Sequence, residues 1–422
     1  MAAFCSYFSM YAFRKPFAAA SYSEVAAVSL FGWVLHYKTI LIIAQVLGYC
    51  VSKFLGIKFV SEMPATRRAL SIGGCIAVAW AALLLFALVP APWNILCLVL
   101  NGLPLGMVWG LVFGFLEGRR VSEVLGIGLS ASYILASGVV KSVGKSMINM
   151  GVPEFWMPFA TGACFVVPML VFVFLLASIP PPTPEDRAAR TERAPMDARA
   201  RREFFLTYLP GLLPLTLLYI LLTAFRDFRD NFATELWEAL GFDQQESAAL
   251  LAGSEVPVTL GVLGVLALLM FIQDNRKALL WVHAIMLGGT ALVGVSTLAY
   301  QGGMIGPVAW MTLIGLGLYA AYVPFGCILF DRLIATVGAV ATAGFLIYVT
   351  DAFGYLGSVV LMLYKDLANP NLSWLEFFIS ASYVTSLFCS CGVVVSLFYF
   401  RKLTSEHAAA GGVQRLLEVP LK

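Results

Sequence analysis

Charged side chains stand inside long apolar runs of this sequence, at Arg14, Lys15, Lys53, Lys141, Lys145, Arg226, Asp227, Arg229, Asp230, Glu255 and Asp351. A charge at mid-membrane depth costs about 3 kcal/mol or more, so each needs a partner, a solute or a water-filled space. Tyr7, Tyr11 and Arg14 are spaced i, i+4, i+7 and share one helical face. Two phenols beside a guanidinium suit an oxyanion: the Arg fork matches phosphate or carboxylate, and the hydroxyls add hydrogen bonds. The structural alternative is an arginine clasped by a carboxylate. Lys15 points about 100° away from that face, to snorkel or to pair elsewhere.

Tyr49 and Lys53 repeat the pattern at i, i+4. Arg226 sits among Asp227, Arg229 and Asp230, either as a deep mixed-charge cluster or as a polar cap on a helix ending near residue 225. Asp351 follows the apolar Leu346-Ile-Tyr-Val-Thr, and Glu255 lies about a third of the way into its run. Either pairs with a cationic neighbour or binds and releases a proton. Lys141 and Lys145 share a face near the end of their run; Lys145 reads as a snorkelling anchor, and Lys141 stays open. Asp351, Glu255, Asp230 and Lys141 are thus candidates for coupling or for ion pairing.

Other chemistries find no support. The eight cysteines are scattered through apolar segments without a CxxC pair, as small apolar filler. His36, His283 and His407 are isolated and read as non-catalytic. There is no P-loop, no Ser/His/Asp set and no basic cluster for nucleic acid, so the expectation is a non-enzyme without cofactor or metal.

The elements that must position these residues are helices in lipid. Hydrophobic residues make up 60% of the 422-residue chain and charged residues 12%, and mean hydropathy is +0.87. Roughly 20 apolar residues are needed per span, and only helices or closed barrels satisfy their backbone there. The continuous apolar runs exclude alternating barrel strands. Twelve spans are predicted, over residues 2–23, 39–60, 69–90, 93–116, 122–146, 153–178, 204–229, 247–272, 278–300, 305–330, 337–363 and 373–400. The chain begins inside its first span, without the basic segment of a cleavable signal peptide.

The longest polar stretch, residues 180–202, opens with prolines that stop the sixth helix and continues with charges that cannot enter lipid. It predicts an N-terminal bundle (1–179), a linker (180–203), a C-terminal bundle (204–402) and a tail (403–422). Basic residues collect on the linker side, at Arg67-Arg68, Arg119-Arg120, Arg276-Lys277, Arg332 and Arg401-Lys402. Lys38 and Lys365 are the clearest exceptions. By the positive-inside rule the linker and both termini are cytoplasmic, and the expected location is the plasma (inner) membrane.

The halves echo each other at an offset of 212–215 residues: Tyr11-Ala-Phe-Arg14 with Thr223-Ala-Phe-Arg226, Leu100-Asn-Gly-Leu-Pro-Leu with Leu313-Ile-Gly-Leu-Gly-Leu, and Tyr133-Ile-Leu with Tyr348-Val-Thr. Such parallel repeats suggest a duplicated bundle. Gly102, Gly106, Gly110, Gly114 and Gly118, spaced by four, form a stripe that another helix can approach closely.

This pattern resembles the major facilitator superfamily. The segment from Gly56 through Glu62 to Arg67 and Arg68 is similar to its signature loop between helices 2 and 3, with Glu62 where an Asp is usual. Gln273-Asp274-Asn-Arg276-Lys277 looks like the echo in the second half. Three short motifs, Tyr7 to Phe17, Gly48 to Phe54 and Ala224-Phe-Arg226, resemble the organophosphate:phosphate antiporter branch. That resemblance implies an all-α, twelve-helix fold in two pseudo-symmetric six-helix bundles. It also implies that Arg14 and Arg226 bind a phosphoryl group while Lys53, Tyr7, Tyr11 and Tyr49 line the same cavity. The chain departs from the branch where Ser130 and Ser132 stand in place of a cavity histidine, and where Asp230 is one residue closer to Arg226. It also resembles a bacterial family of facilitator-like proteins with unassigned substrates.

The function expected is a monomeric secondary transporter, working by alternating access on a small phosphorylated or carboxylated metabolite. Inorganic phosphate or a proton is the expected coupling species. The alternative is a non-transporting sensor that uses the same cavity.

Overall fold

The structure, a computed structural model, describes residues 1–30, 33–61, 63–116, 122–180, 183, 186, 198–337, 343–368 and 371–417. In the first half, α1 (Ala2–Met10) is followed by α2 (Tyr37–Ser61), α3 (Ala65–Leu88), α4 (Ile95–Phe113), α5 (Ser122–Asn149) and α6 (Met157–Ala177). A linker helix α7 (Ala198–Thr207) leads to α8 (Leu209–Asn231) and to a short α9 (Ala233–Ala239). The eighth span is built from α10 (Gln244–Gly253) and α11 (Glu255–Leu269). Then come α12 (Asn275–Gln301), α13 (Pro307–Cys327), the short α14 (Leu329–Val337), α15 (Ala343–Ala368) and α16 (Trp374–Leu417).

Among the described residues, ten helices are long and apolar enough to cross a membrane. The 26-residue α15 and the interrupted first span complete the twelve-pass fold. Local signals set the helix starts. Proline occupies the first turn of α6, α8 and α13, where its missing N–H costs nothing. Asp243 and Glu246 close a capping box at α10, and Asp274 caps α12. Large apolar side chains such as Phe174, Phe271, Leu387 and Phe398 point outward, as lipid requires and as a water-soluble surface would not tolerate.

One expectation needs correction. The first span is not one helix over 2–23: α1 stops at Met10, and 3-10 turns follow at Tyr11–Phe13 and Pro16–Ala19. Pro16 cannot continue the ladder, and the Arg14 and Lys15 amides both bond to the Tyr11 carbonyl, at 3.0 and 2.9 Å. The all-α fold also carries a short strand pair. A hairpin of β1 (Val28–Leu30) and β2 (Trp33–Leu35), paired Val28 to Leu35, sits between the first two spans.

The break in span 1 frees backbone carbonyls in the interior, and two amide side chains meet them. Asn101 of α4 donates to the Phe13 and Ala79 carbonyls, both at 2.9 Å. Gln45 of α2 donates to the Arg14 carbonyl at 2.8 Å and to the Asn101 oxygen at 2.7 Å. The glycine stripe brings α4 close enough for this: a Cβ on Gly102 would lie 2.3 Å from the Gln45 carbonyl oxygen. Arg14 is therefore held by its main chain as well as by its side chain. Asn101→Leu, nearly the same volume without the donors, is expected to destabilise the protein by about 2–4 kcal/mol. Thermal unfolding in detergent checks this, and an unchanged midpoint would refute it.

Candidate functional site

The two halves meet around a cavity of about 60 Å³ at the waist of the bundle. At roughly 10–15 Å³ per water, it has room for a few waters or one small solute. Arg14, Lys53, Tyr7, Tyr11 and Tyr49 line it from the first half, and Arg226 and Asp351 from the second. The six residues singled out as anion ligands thus share one space, together with one coupling candidate. Sequence reasoning did not pick Trp109, Tyr133, Tyr219, Tyr322 or Tyr355, which complete an aromatic wall, nor the positioning residues Gln45 and Asn101. Ser130 also lines it.

The cations are arranged unequally. Arg14 is 4% exposed. Its Cζ lies 4.0 Å from the Tyr49 ring centre and 5.6 Å from that of Tyr11, and its Nη1 reaches the Tyr11 hydroxyl at only 3.5 Å. Its Nε has no hydrogen-bond partner, and among the described residues no carboxylate lies within ion-pair distance of it. Arg226 stacks on Tyr322 at 4.3 Å and is matched by Asp227 at 2.8 Å. It lies deep, not in a polar cap, since α8 runs on to Asn231. Lys53 reaches across from α2 to Asp351 on α15, at 3.2 Å. Asp351 also accepts from the Tyr219 hydroxyl, which lies 3.0 Å from that of Tyr322.

The other coupling candidates lie elsewhere. Glu255, Asp230 and Lys141 border a second, smaller cavity toward the end of the bundle distal to the linker. Glu255 pairs with Arg229 at 2.8 Å. Asp230 receives Lys15 at 2.6 Å and Lys141 at 2.7 Å, both from the first half. Lys145 is not a snorkelling anchor: it is 6% exposed and pairs with Glu238 at 3.0 Å. Lys38, one of the exceptions to the basic-residue pattern, is buried and bonded to Glu235. These four lysines of the first half, each matched to a carboxylate of the second, tie the halves together at the distal end.

The loop motifs do local work. A Cβ on Gly56 would meet Met107 at 3.1 Å. Arg68 donates to the Gly114 carbonyl, Arg67 is exposed, and Asp274 accepts from the Lys277 amide at 2.8 Å. Arg276 lies beside that cap, at the start of α12. Glu62, Arg119 and Arg120 fall outside the described residues. His283 is a buried structural residue, bridging the Leu279 carbonyl and Ser396.

His36 adds a distal tie, 3.2 Å from Asp366 of α15. That hydrogen bond raises the His36 pKa from its ordinary 6.5, with partial burial opposing. A raised folded pKa contributes stability below the unfolded value and loses it as pH rises through the folded one. The thermal midpoint is therefore expected to fall between about pH 6 and pH 8, and less so in His36→Gln. Equal slopes in the two proteins would remove His36 from the pH response.

A twelve-pass bundle with a polar cavity between two halves defines a multi-pass membrane protein of the facilitator fold. Its likeness to solved structures agrees. D-xylose-proton symporter matches with a TM-score of 0.61 at 13% identity, over 94% of this chain and 95% of that one. A POT family transporter in complex with thioalcohol-conjugated peptide matches at 0.60 and 12%, over 96% and 95%. A POT peptide transporter in complex with sulfate matches at 0.58 and 14%, over 92% of each chain. At such identities the likeness shows the fold. No curated protein matches the chain. The family of unknown function DUF5690 matches over residues 16–403, and the chain belongs to it.

Proposed function

We propose that this chain is a secondary transporter of a small anionic metabolite carrying a phosphate or carboxylate group. Arg14 and Arg226 hold the anionic group from opposite halves, Lys53 adds charge, and Tyr7, Tyr11 and Tyr49 orient it. One observation carries the reading: Arg14 is a buried guanidinium facing a cavity, without a carboxylate partner among the described residues. Leaving a buried charge unmatched costs several kcal/mol, and an oxyanion in the cavity removes that cost. The fold supports transport by rocking of the halves about a central site. The basic residues of the linker side support a cytoplasmic linker and termini in the plasma membrane.

The test is counterflow of radiolabelled inorganic phosphate in proteoliposomes. Exchange by the wild type, reduced in Arg226→Ala and restored in part by Arg226→Lys, is the expected result. A well-folded wild type that neither binds nor exchanges phosphate, phosphate esters or small carboxylates would sink the reading. Binding without flux would favour a receptor built on the same cavity.

A further inference from the structure

Among the described residues, the charges around the central cavity sort into matched pairs with one left over. Arg226 is matched by Asp227, whose other oxygen accepts from the Ser358 hydroxyl at 2.8 Å. Lys53 is matched by Asp351. Arg14 remains, so the resting cavity carries one net positive charge. A monoanion beside Arg14 neutralises it and disturbs nothing else. A dianion leaves a negative charge in excess in a buried site, where an unmatched charge is costly, unless a further cation is released.

Lys53 is the cation within reach. Its Nζ and the Arg14 guanidinium lie against the same ring, that of Tyr49, at 5.4 and 4.0 Å. An oxyanion seated on Arg14 is therefore drawn to Lys53 and meets Asp351 across one ammonium. Two anions contesting one cation in a low dielectric do not both stay charged. The groups facing Asp351 decide which of them gives way. It contacts Lys53 of α2 and Tyr219 of α8, and shares the cavity with Tyr49 of α2, Arg226 of α8, Tyr322 of α13 and Tyr355 of its own helix. Arg226 is held by Asp227. Once Lys53 turns away, Asp351 keeps the Tyr219 hydroxyl, which serves a neutral carboxylic acid as well as a carboxylate.

We propose that the cavity takes a dianionic oxyanion together with one proton: the anion displaces Asp351 from Lys53, and Asp351 becomes a neutral acid. This rests on the reading of the cavity as an anion site, and adds to it the charge of the cargo and the coupling ion. The proton comes from bulk solvent, relayed through cavity water onto a carboxylate oxygen, and no bond of the cargo is made or broken. The loaded cavity is then neutral. The Lys53–Asp351 pair also joins α2 of one half to α15 of the other. Proton and anion together release that tie, whereas the anion alone leaves the excess charge in place. Occupancy is thereby linked to freedom of the halves to move.

The test is calorimetric titration of inorganic phosphate into the full chain in detergent near pH 8, in buffers of different ionisation enthalpy. It reads the protons taken up per phosphate bound. The titration of phosphate itself contributes equally to every variant. The wild type is expected to take up about one proton more than Asp351→Asn, with Asp351→Glu retaining the wild-type count. Should Asp351→Asn fail to fold, Lys53→Met reads the same proton, because it removes the contested ammonium. Equal proton counts in wild type and variant, with both binding phosphate, overturn the proton coupling and leave the anion site standing. Absence of binding of phosphate, phosphate esters and small carboxylates by the folded wild type overturns both.

Discussion

Replacing Arg14 by methionine lowers phosphate counterflow by about 100-fold or more, while leaving the empty protein at least as stable as the wild type. The two halves of this expectation have one cause. The guanidinium is buried against Tyr49 and Tyr11, without a carboxylate among the described residues. In the empty cavity its charge is a net cost, and methionine of similar length removes it. In the loaded cavity it supplies charge-assisted, two-point contact that methionine lacks. Lysine restores charge but not the fork, so Arg14→Lys is expected to recover part of the flux. Parallel counterflow and thermal-unfolding measurements separate the readings. If Arg14 is a structural clasp, the methionine variant melts well below the wild type. Wild-type flux in Arg14→Met takes Arg14 out of the path of the cargo.

Gly138→Ala is expected to hold the distal end of the bundle open. Span 5 crosses the eighth span at this glycine so closely that a Cβ would stand 2.1 Å from the Leu251 carbonyl oxygen and 2.8 Å from Glu255 Cγ. Backbone cannot yield there as a flexible side chain would, and overpacking of this kind costs about 1–3 kcal/mol. The methyl group therefore penalises the closed arrangement, in which Ser137 and Lys141 reach Asp230. The state with these helices apart is left unaffected. Labelling of Ser254→Cys, a buried position beside the second cavity, by an impermeant maleimide is expected to speed up at least tenfold in Gly138→Ala. Gly128→Ala, on the same helix with open space around its would-be Cβ, is the control and should label at the wild-type rate. Equal labelling in all three proteins would mean that this crossing does not gate access.

The part of the cavity that was legible in the sequence is the part made of charge. Arg14, Arg226, Lys53 and Asp351 interrupt runs that are otherwise apolar, and the cost of burying them marks them without any structure. Tyr7, Tyr11 and Tyr49 came with them because helical spacing puts them on the same faces. Tyr219, Tyr322 and Tyr355 were not legible, since a tyrosine among apolar residues reads equally as core. Asn101 falls in the Leu100-Asn-Gly-Leu-Pro-Leu segment, whose echo in the second half has Ile314 at its place, but its role depends on the break after Met10, and only Pro16 hinted at that break. Lys145 misled because its place near a span end suits snorkelling as well as a cross-half pair, and the choice depends on Glu238, far away in sequence. The twelve-pass architecture itself was legible almost throughout, because the length and apolarity of each run are set by the bilayer.

The cation-to-carboxylate ties at the distal end have a kinetic consequence. In the transport cycle proposed above, they weight the resting population toward the arrangement in which the halves are closed on that side. A solute arriving there meets only the minority of carriers that stand open to it, and its apparent affinity is reduced by that fraction. A solute arriving from the linker side bears no such reduction. In that cycle half-saturation is expected at a higher concentration from the distal face of the membrane than from the linker face, although both faces address the same proposed site.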